Sequence, residues 1–221
     1  AIFDRSTKKI SLSKEIKKCF NITKTIIDKN DPSIKNPEKF IGRCYKKEEA
    51  KLLAEQFGWV IKKQNLDEWR QVVPSPLPKY IEHGRSIETL VNNGTIVIAS
   101  GGGGIPAYWD ENDSLEGIDA VVDKDLSAAL LGRVIKANEL WIITDIDCAY
   151  LNYGKKNEIP LNRISTSEAK LYYEQGHFQA GSMGPKFQAA LYFLKYHGDK
   201  VVITSIDGVK KAINEDFGTI I

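Results

Sequence analysis

Apolar positions along this chain follow two rhythms, and the switch between them marks its organisation. From residue 86 onward, stripes at helical spacing alternate with short runs of consecutive apolar residues. Ile87, Leu90 and Val91 predict a helix that ends at Gly94, with a strand over 95–100 behind it. Leu126, Ala129, Leu130 and Val134 share one face of a helix over 126–135, followed by a strand at 140–144. Ser165 and Glu168 have the spacing of a capping box and open a helix to Gly176. A helix over 186–197, a strand at 201–205, a short helix near 209–215 and a strand at 218–221 complete the series. Uninterrupted apolar strands between helices predict an α/β fold with a mainly parallel sheet covered on both faces.

Residues 28–80 break this rhythm. They are rich in turn residues, including Asp31-Pro32 and Asn36-Pro37, and poor in periodic apolar positions. Ala50, Leu53, Ala54 and Phe57 mark one short helix that stops at Gly58, and Trp59, Val60 and Ile61 a strand. Prolines at 74, 76 and 78 keep the end of the stretch extended. Residues 28–80 are therefore expected to protrude as a small, loop-rich, lid-like subdomain beside a core formed by 81–221.

Composition narrows the function. The 221 residues are 42% hydrophobic, enough for one domain with an appendage. With 31 basic and 29 acidic side chains there is no global field to recruit nucleic acid or a membrane, and neither partner is expected. Cys19, Cys44 and Cys148 lack C-x-x-C spacing, and His83, His177 and His197 lie far apart, so neither a disulfide framework nor a protein-held metal is expected. No apolar run reaches membrane-spanning length, and a reducing, cytoplasmic setting is expected.

The candidate chemistry is cationic and glycine-rich. Pro185 suits the first turn of a helix, but Lys186 beside it opposes the helix dipole. Lys186 is either a solvated first-turn lysine or a phosphate ligand working with free backbone N–H groups. Gly101, Gly102, Gly103 and Gly104 directly follow a strand, where ligands of open α/β sheets bind. They form either a turn or a backbone cradle for an anion, without matching a P-loop or G-x-G-x-x-G. In Asp123-Lys124-Asp125, Asp125 either caps a helix or steadies ammonium groups while Lys124 meets a phosphate. Asp145 and Asp147 end another strand. Tyr150 and Tyr153 after them either pack or receive a flat base.

Several segments occur in a shared order: Val72-Val-Pro-Ser-Pro, Ile98-Ala-Ser-Gly-Gly-Gly-Gly-Ile-Pro, Val122-Asp-Lys-Asp-Leu, Thr144-Asp-Ile-Asp, Tyr150-Leu-Asn, Ser167-Glu-Ala-Lys, Gly176-His-Phe and Gly181-Ser-Met-Gly-Pro-Lys. In this order, from about Asp28 to the C-terminus, the chain resembles the carbamate kinases of the amino-acid kinase superfamily. The resemblance implies reversible phosphoryl transfer between ATP and carbamate, running toward ATP from carbamoyl phosphate and ADP in arginine catabolism. It implies three α/β/α layers, a homodimer, Mg2+ accompanying ATP or ADP, and an ATP-binding core at 81–221. By the same likeness Lys186, Lys124 and Asp125 are catalytic. Asp145, Tyr150, Met183 and Gly184 join Lys186 at the nucleotide, and Lys39 and the four glycines meet carbamate and phosphate.

Two departures accompany the likeness. Glu38-Lys39-Phe40-Ile41-Gly42-Arg43 stands where the family has Thr-Lys-Pro-Ile-Gly-Pro. The family's opening strand and Gly-Gly-Asn-Ala loop have no counterpart here. Residues 1–27 are therefore expected to be the remnant of an N-terminal substrate half, and the working protein to be longer than these residues. The alternatives are a nucleotide-binding fragment without catalysis, or an amino-acid kinase for another substrate.

Overall fold

A computed structural model describes residues 2–3, 17–178, 183–196 and 198–221. The first third runs β1 (Ile2–Phe3), β2 (Lys18–Asn21), β3 (Lys24–Ile27), α1 (Pro32–Lys35), β4 (Lys39–Tyr45) and α2 (Lys47–Phe57). Then come β5 (Val60–Asn65), β6 (Glu68–Val73), β7 (Pro78–Ile81), α3 (Gly84–Asn92), β8 (Ile96–Ala99), β9 (Ile105–Trp109) and β10 (Leu115–Gly117). The remainder is α4 (Lys124–Val134), β11 (Glu139–Thr144), β12 (Ala149–Leu151), β13 (Ile159–Leu161) and α5 (Thr166–Glu174). It closes with α6 (Met183–Tyr196), β14 (Lys200–Ser205), α7 (Val209–Asn214) and β15 (Thr219–Ile220).

The strands that build the body pair in parallel: β2 with β8, β3 with β9, and β11 with β14. Antiparallel partners border them, with β1 and β15 flanking the last pair and β7 and β10 flanking β3 and β9. Two hairpins, β9–β10 and β12–β13, interrupt the alternation expected from the sequence. Their strands are short, few of their residues are fully buried, and Pro106 and Pro160 inside β9 and β13 argue against strands in a sequence reading.

The main core lies between β11 and β14 on one side and α4, α5 and α6 on the other. Leu140, Ile142, Val201 and Ile203 meet Ala129, Ala169, Phe187, Ala190 and Phe193 there. Phe178 stacks on Phe187 with ring centroids 3.6 Å apart. On the opposite face Trp141 and Val202 pack against Ala212 of α7, so alternate residues of each strand serve opposite layers. The capping box is present in full at α5: the Ser165 hydroxyl accepts from the Glu168 N–H, and the Glu168 carboxylate accepts from the Ser165 N–H.

Residues 39–73 form their own layer, a three-stranded antiparallel sheet in the order β4-β6-β5 beside α2. The sequence showed α2, and Gly58 ends it in the left-handed region at φ 68°. It did not show β4 or β6, because polar residues such as Lys39, Arg43, Glu68 and Arg70 sit on an exposed sheet. Phe40, where the family has proline, keeps its N–H, and β4 pairs with β6 there opposite Val72. Pro78, inside the 28–80 stretch, begins β7 and belongs to the body through β3.

Candidate active site

Two helix starts meet at the centre of the site. Asp123 caps α4: its Oδ1 accepts from the N–H groups of Asp125 at 2.9 Å and Leu126 at 3.3 Å. Asp125, the cap suggested by the sequence, lies inside the first turn instead. Its Oδ2 accepts from Lys186 Nζ at 2.9 Å and from Lys124 Nζ at 3.3 Å. Lys186 arrives on α6, which begins at Met183. Pro185 is therefore the third helical residue, where its N–H is still not needed by the helix. Lys186 is no solvated surface lysine, being only 7% exposed.

The protruding sheet reaches the same point. Lys39 Nζ donates to Asp123 Oδ2 at 2.5 Å. Three ammonium groups thus surround two carboxylates at the start of one helix. This leaves an excess of one positive charge at the start of α4, an arrangement suited to an anion. Burial pushes the Asp123 carboxyl up. The Lys39 ammonium and the two capping N–H groups outweigh it and hold Asp123 below the ordinary carboxylate range. Burial pulls the Lys124 ammonium down, and the Asp125 charge more than offsets that, so Lys124 stays protonated. Asp123 escaped the sequence reading because Val122-Asp-Lys-Asp offers two capping residues, and only the start of the helix chooses between them.

The four glycines divide by role. A Cβ on Gly103 would lie 1.9 Å from the Val122 carbonyl oxygen, and one on Gly104 2.2 Å from Thr25 Oγ1. Packing of the chain on itself is enough to require glycine at these two positions. Gly103 accepts through its carbonyl from Thr25 Oγ1 and Ser127 Oγ, both at 2.7 Å, which ties the loop to β3 and to α4. Gly101 and Gly102 are exposed, and a Cβ on either meets nothing within 4 Å. Thr25 and Ser127 had no sequence signal beyond being polar in apolar surroundings.

A separate hollow of about 120 Å³ opens at the end of β11, lined by Asp145, Tyr150, Tyr153, His177, Phe178 and Met183. The Tyr150 and Tyr153 rings lie 5.8 Å apart at their centroids. The Tyr150 hydroxyl is pushed up to about 12, chiefly by its hydrogen bond with Cys148 and then by burial. Asp145 accepts from Thr144 Oγ1 at 2.9 Å. That bond, its own backbone N–H and the charge of Lys186 hold it below the ordinary range. Met183 and Gly184 open α6 one turn from Lys186, so hollow and lysine cluster share one helix start. Asp147, the other aspartate here, accepts from Ser205 Oγ at 2.5 Å and ties the loop after β11 to the end of β14. Gly181 and Ser182 of the same motif lie outside the described residues. Among the described residues no three His, Cys, Asp or Glu side chains gather as metal ligands. Among them, too, no helix is long and apolar enough to cross a membrane.

Comparison with known proteins places the chain in a family. Residues 16–205 match the amino acid kinase family. The carbamate kinase of Thermococcus kodakarensis is 46% identical over 198 residues, covering 90% of this chain and 62% of that protein. The carbamate kinase of Thermoplasma volcanium is 44% identical over 220 residues, covering 99% of this chain and 70% of the relative. Carbamate kinase from Giardia lamblia bound to AMP-PNP superposes with a TM-score of 0.78 at 40% identity, over 91% of this chain and 64% of the other. The chain thus spans under two thirds of the Thermococcus and Giardia proteins. A lysine pair on a buried carboxylate, a glycine loop at a strand end and these relatives agree: the chain belongs to the amino acid kinase family, and its sequence groups it with the carbamate kinases.

Proposed function

We propose that this chain carries the nucleotide-binding and phosphoryl-transfer face of a carbamate kinase. The observation that carries the reading is the buried Lys186 held on Asp125 together with Lys124. Phosphoryl transfer between ATP and carbamate needs little covalent help from the protein. Carbamate is already an anionic nucleophile: one of its oxygens bonds to the γ-phosphorus as the bond to the ADP oxygen breaks. The protein's part is to place the two substrates in line and to supply positive charge where the transferring oxygens gather it. Lys186 and Lys124 supply that charge, and Asp125 holds both ammonium groups in position. The hollow at Asp145, Tyr150 and Met183 suits the base, and the relative bound to AMP-PNP supports nucleotide binding by this chain.

Mg2+ belongs to the reading as a companion of the nucleotide, since it is held largely by phosphate oxygens and water. Its chemistry when bound is to neutralise charge on the β- and γ-phosphates. The reading extends to a homodimer in the cytoplasm, forming ATP from carbamoyl phosphate in arginine catabolism. The test is ATP formation by the purified protein from ADP and carbamoyl phosphate. Lys186→Ala should lower turnover by roughly 10²–10³ with little change in ATP affinity, because the charge acts mainly during transfer. Turnover within about threefold of the parent would remove Lys186 from the mechanism.

A further inference from the structure

The glycine loop interrupts a parallel ladder. Asn21 of β2 pairs opposite Ala99 of β8, and Lys24 of β3 pairs opposite Ile105 of β9. Ser100 and the four glycines therefore bulge out across from Ile22 and Thr23. Three side-chain oxygens at this gap are buried with no hydrogen-bond partner among the described residues: Asn21 Oδ1, Thr23 Oγ1 and Ser100 Oγ. Thr23 is 1% exposed, while Thr25, two residues on, has its hydroxyl committed to Gly103. Ser100 also sits at φ 67°, a left-handed conformation that costs a non-glycine residue energy and gathers at functional positions. Buried oxygens without partners are rare because each forfeits its bonds to water. Here three of them, one on the strained Ser100, gather at a loop bonded to the helix that carries Lys124 and Asp125.

We infer that Asn21, Thr23 and Ser100 recognise the amino group of the phosphate-accepting substrate. The inference rests on the carbamate kinase reading and deepens it. An amide oxygen can only accept, and each hydroxyl can accept while donating elsewhere. Oxygens waiting for partners favour a small planar substrate that brings N–H donors, as carbamate and carbamoyl phosphate do. Acetate and acetyl phosphate, of the same shape, present a methyl group instead. A site built to hydrogen-bond an N–H rejects the analogue lacking it, because its own polar groups then stay unpaired.

Thr23→Val keeps the shape and removes the hydroxyl. If that hydroxyl has no partner in the free protein, the variant should melt at the same temperature as the parent or higher, since an unpaired buried group is lost. It should also reduce the preference, in kcat/KM with ADP, for carbamoyl phosphate over acetyl phosphate by about tenfold. Ser100→Gly, which relieves the backbone, should behave alike and serves should Thr23→Val fail to fold. A lower melting temperature in both variants would show that the oxygens are already satisfied, by water or by protein, and would overturn the inference. So would an unchanged preference in both variants of an active parent. A parent that forms no ATP from carbamoyl phosphate would overturn the kinase reading and this inference with it.

Discussion

At the scale of single residues, Asp123 carries two duties on two oxygens. One oxygen caps α4 and the other holds Lys39. Substitutions separate them. Asparagine caps a helix about as well as aspartate, so Asp123→Asn should lose only the ion pair, whereas Asp123→Ala should lose the cap as well. The difference between the two should be about 1 kcal/mol, measured by urea unfolding. Asp123 sits below the ordinary carboxylate value, so its contribution to stability is complete above about pH 4 and fades as the pH falls toward the folded value. Asp123→Asn should flatten that acid limb. An unchanged limb would mean that other carboxylates set it. None of this was legible in advance: the sequence pointed to Lys124, Asp125 and Lys186, but the first aspartate of the motif gained its meaning only when Lys39 came to it from 84 residues away.

Among the elements, those with strong periodicity were legible and those on exposed surfaces were not. The helices that became α3 and α4 and the strands that became β11 and β14 follow their apolar stripes because each faces the core. β4 and β6 carry few buried residues, and only strand pairing reveals them, whereas Val60 and Ile61 already marked the start of β5. Among the described residues, none of the three buried apolar clusters draws a member from 39–73. The unit is tied to the body by polar links. Besides Lys39, the Asp31 carboxylate accepts from Ser33 N–H at 2.9 Å and Leu77 N–H at 3.1 Å, joining the incoming and outgoing chain. Little apolar area and a few polar ties describe an element that opens locally at low cost. Amide exchange over 39–73 should be faster than in β11 or β14 and should slow when AMP-PNP and carbamate are added together. Uniformly slow exchange in the free protein would make it a rigid brace.

For the molecule as a whole, the α/β class was legible because β11 and β14 are buried runs with helices between them in sequence. The meeting of Lys39 with Asp123 was not, since it depends on how a surface sheet leans on the body. The Lys39 tie has a further consequence, for how the protein responds to its ionic surroundings. Both partners are largely shielded, with side chains 24% and 7% exposed, so diffuse screening by simple salt reaches them poorly. A tetrahedral oxyanion settling at the two helix starts offers Lys39 a competing partner at close range. The placement of the protruding unit should therefore depend on which anion is dissolved more than on how much. Exchange over 39–73 should stay nearly constant across a chloride series at neutral pH and change on titration with inorganic phosphate at fixed ionic strength. Equal responses to both would reduce the tie to ordinary surface electrostatics. An unequal response would mean that the fold discriminates a ligand's geometry from the bulk strength of the medium before any nucleotide is bound.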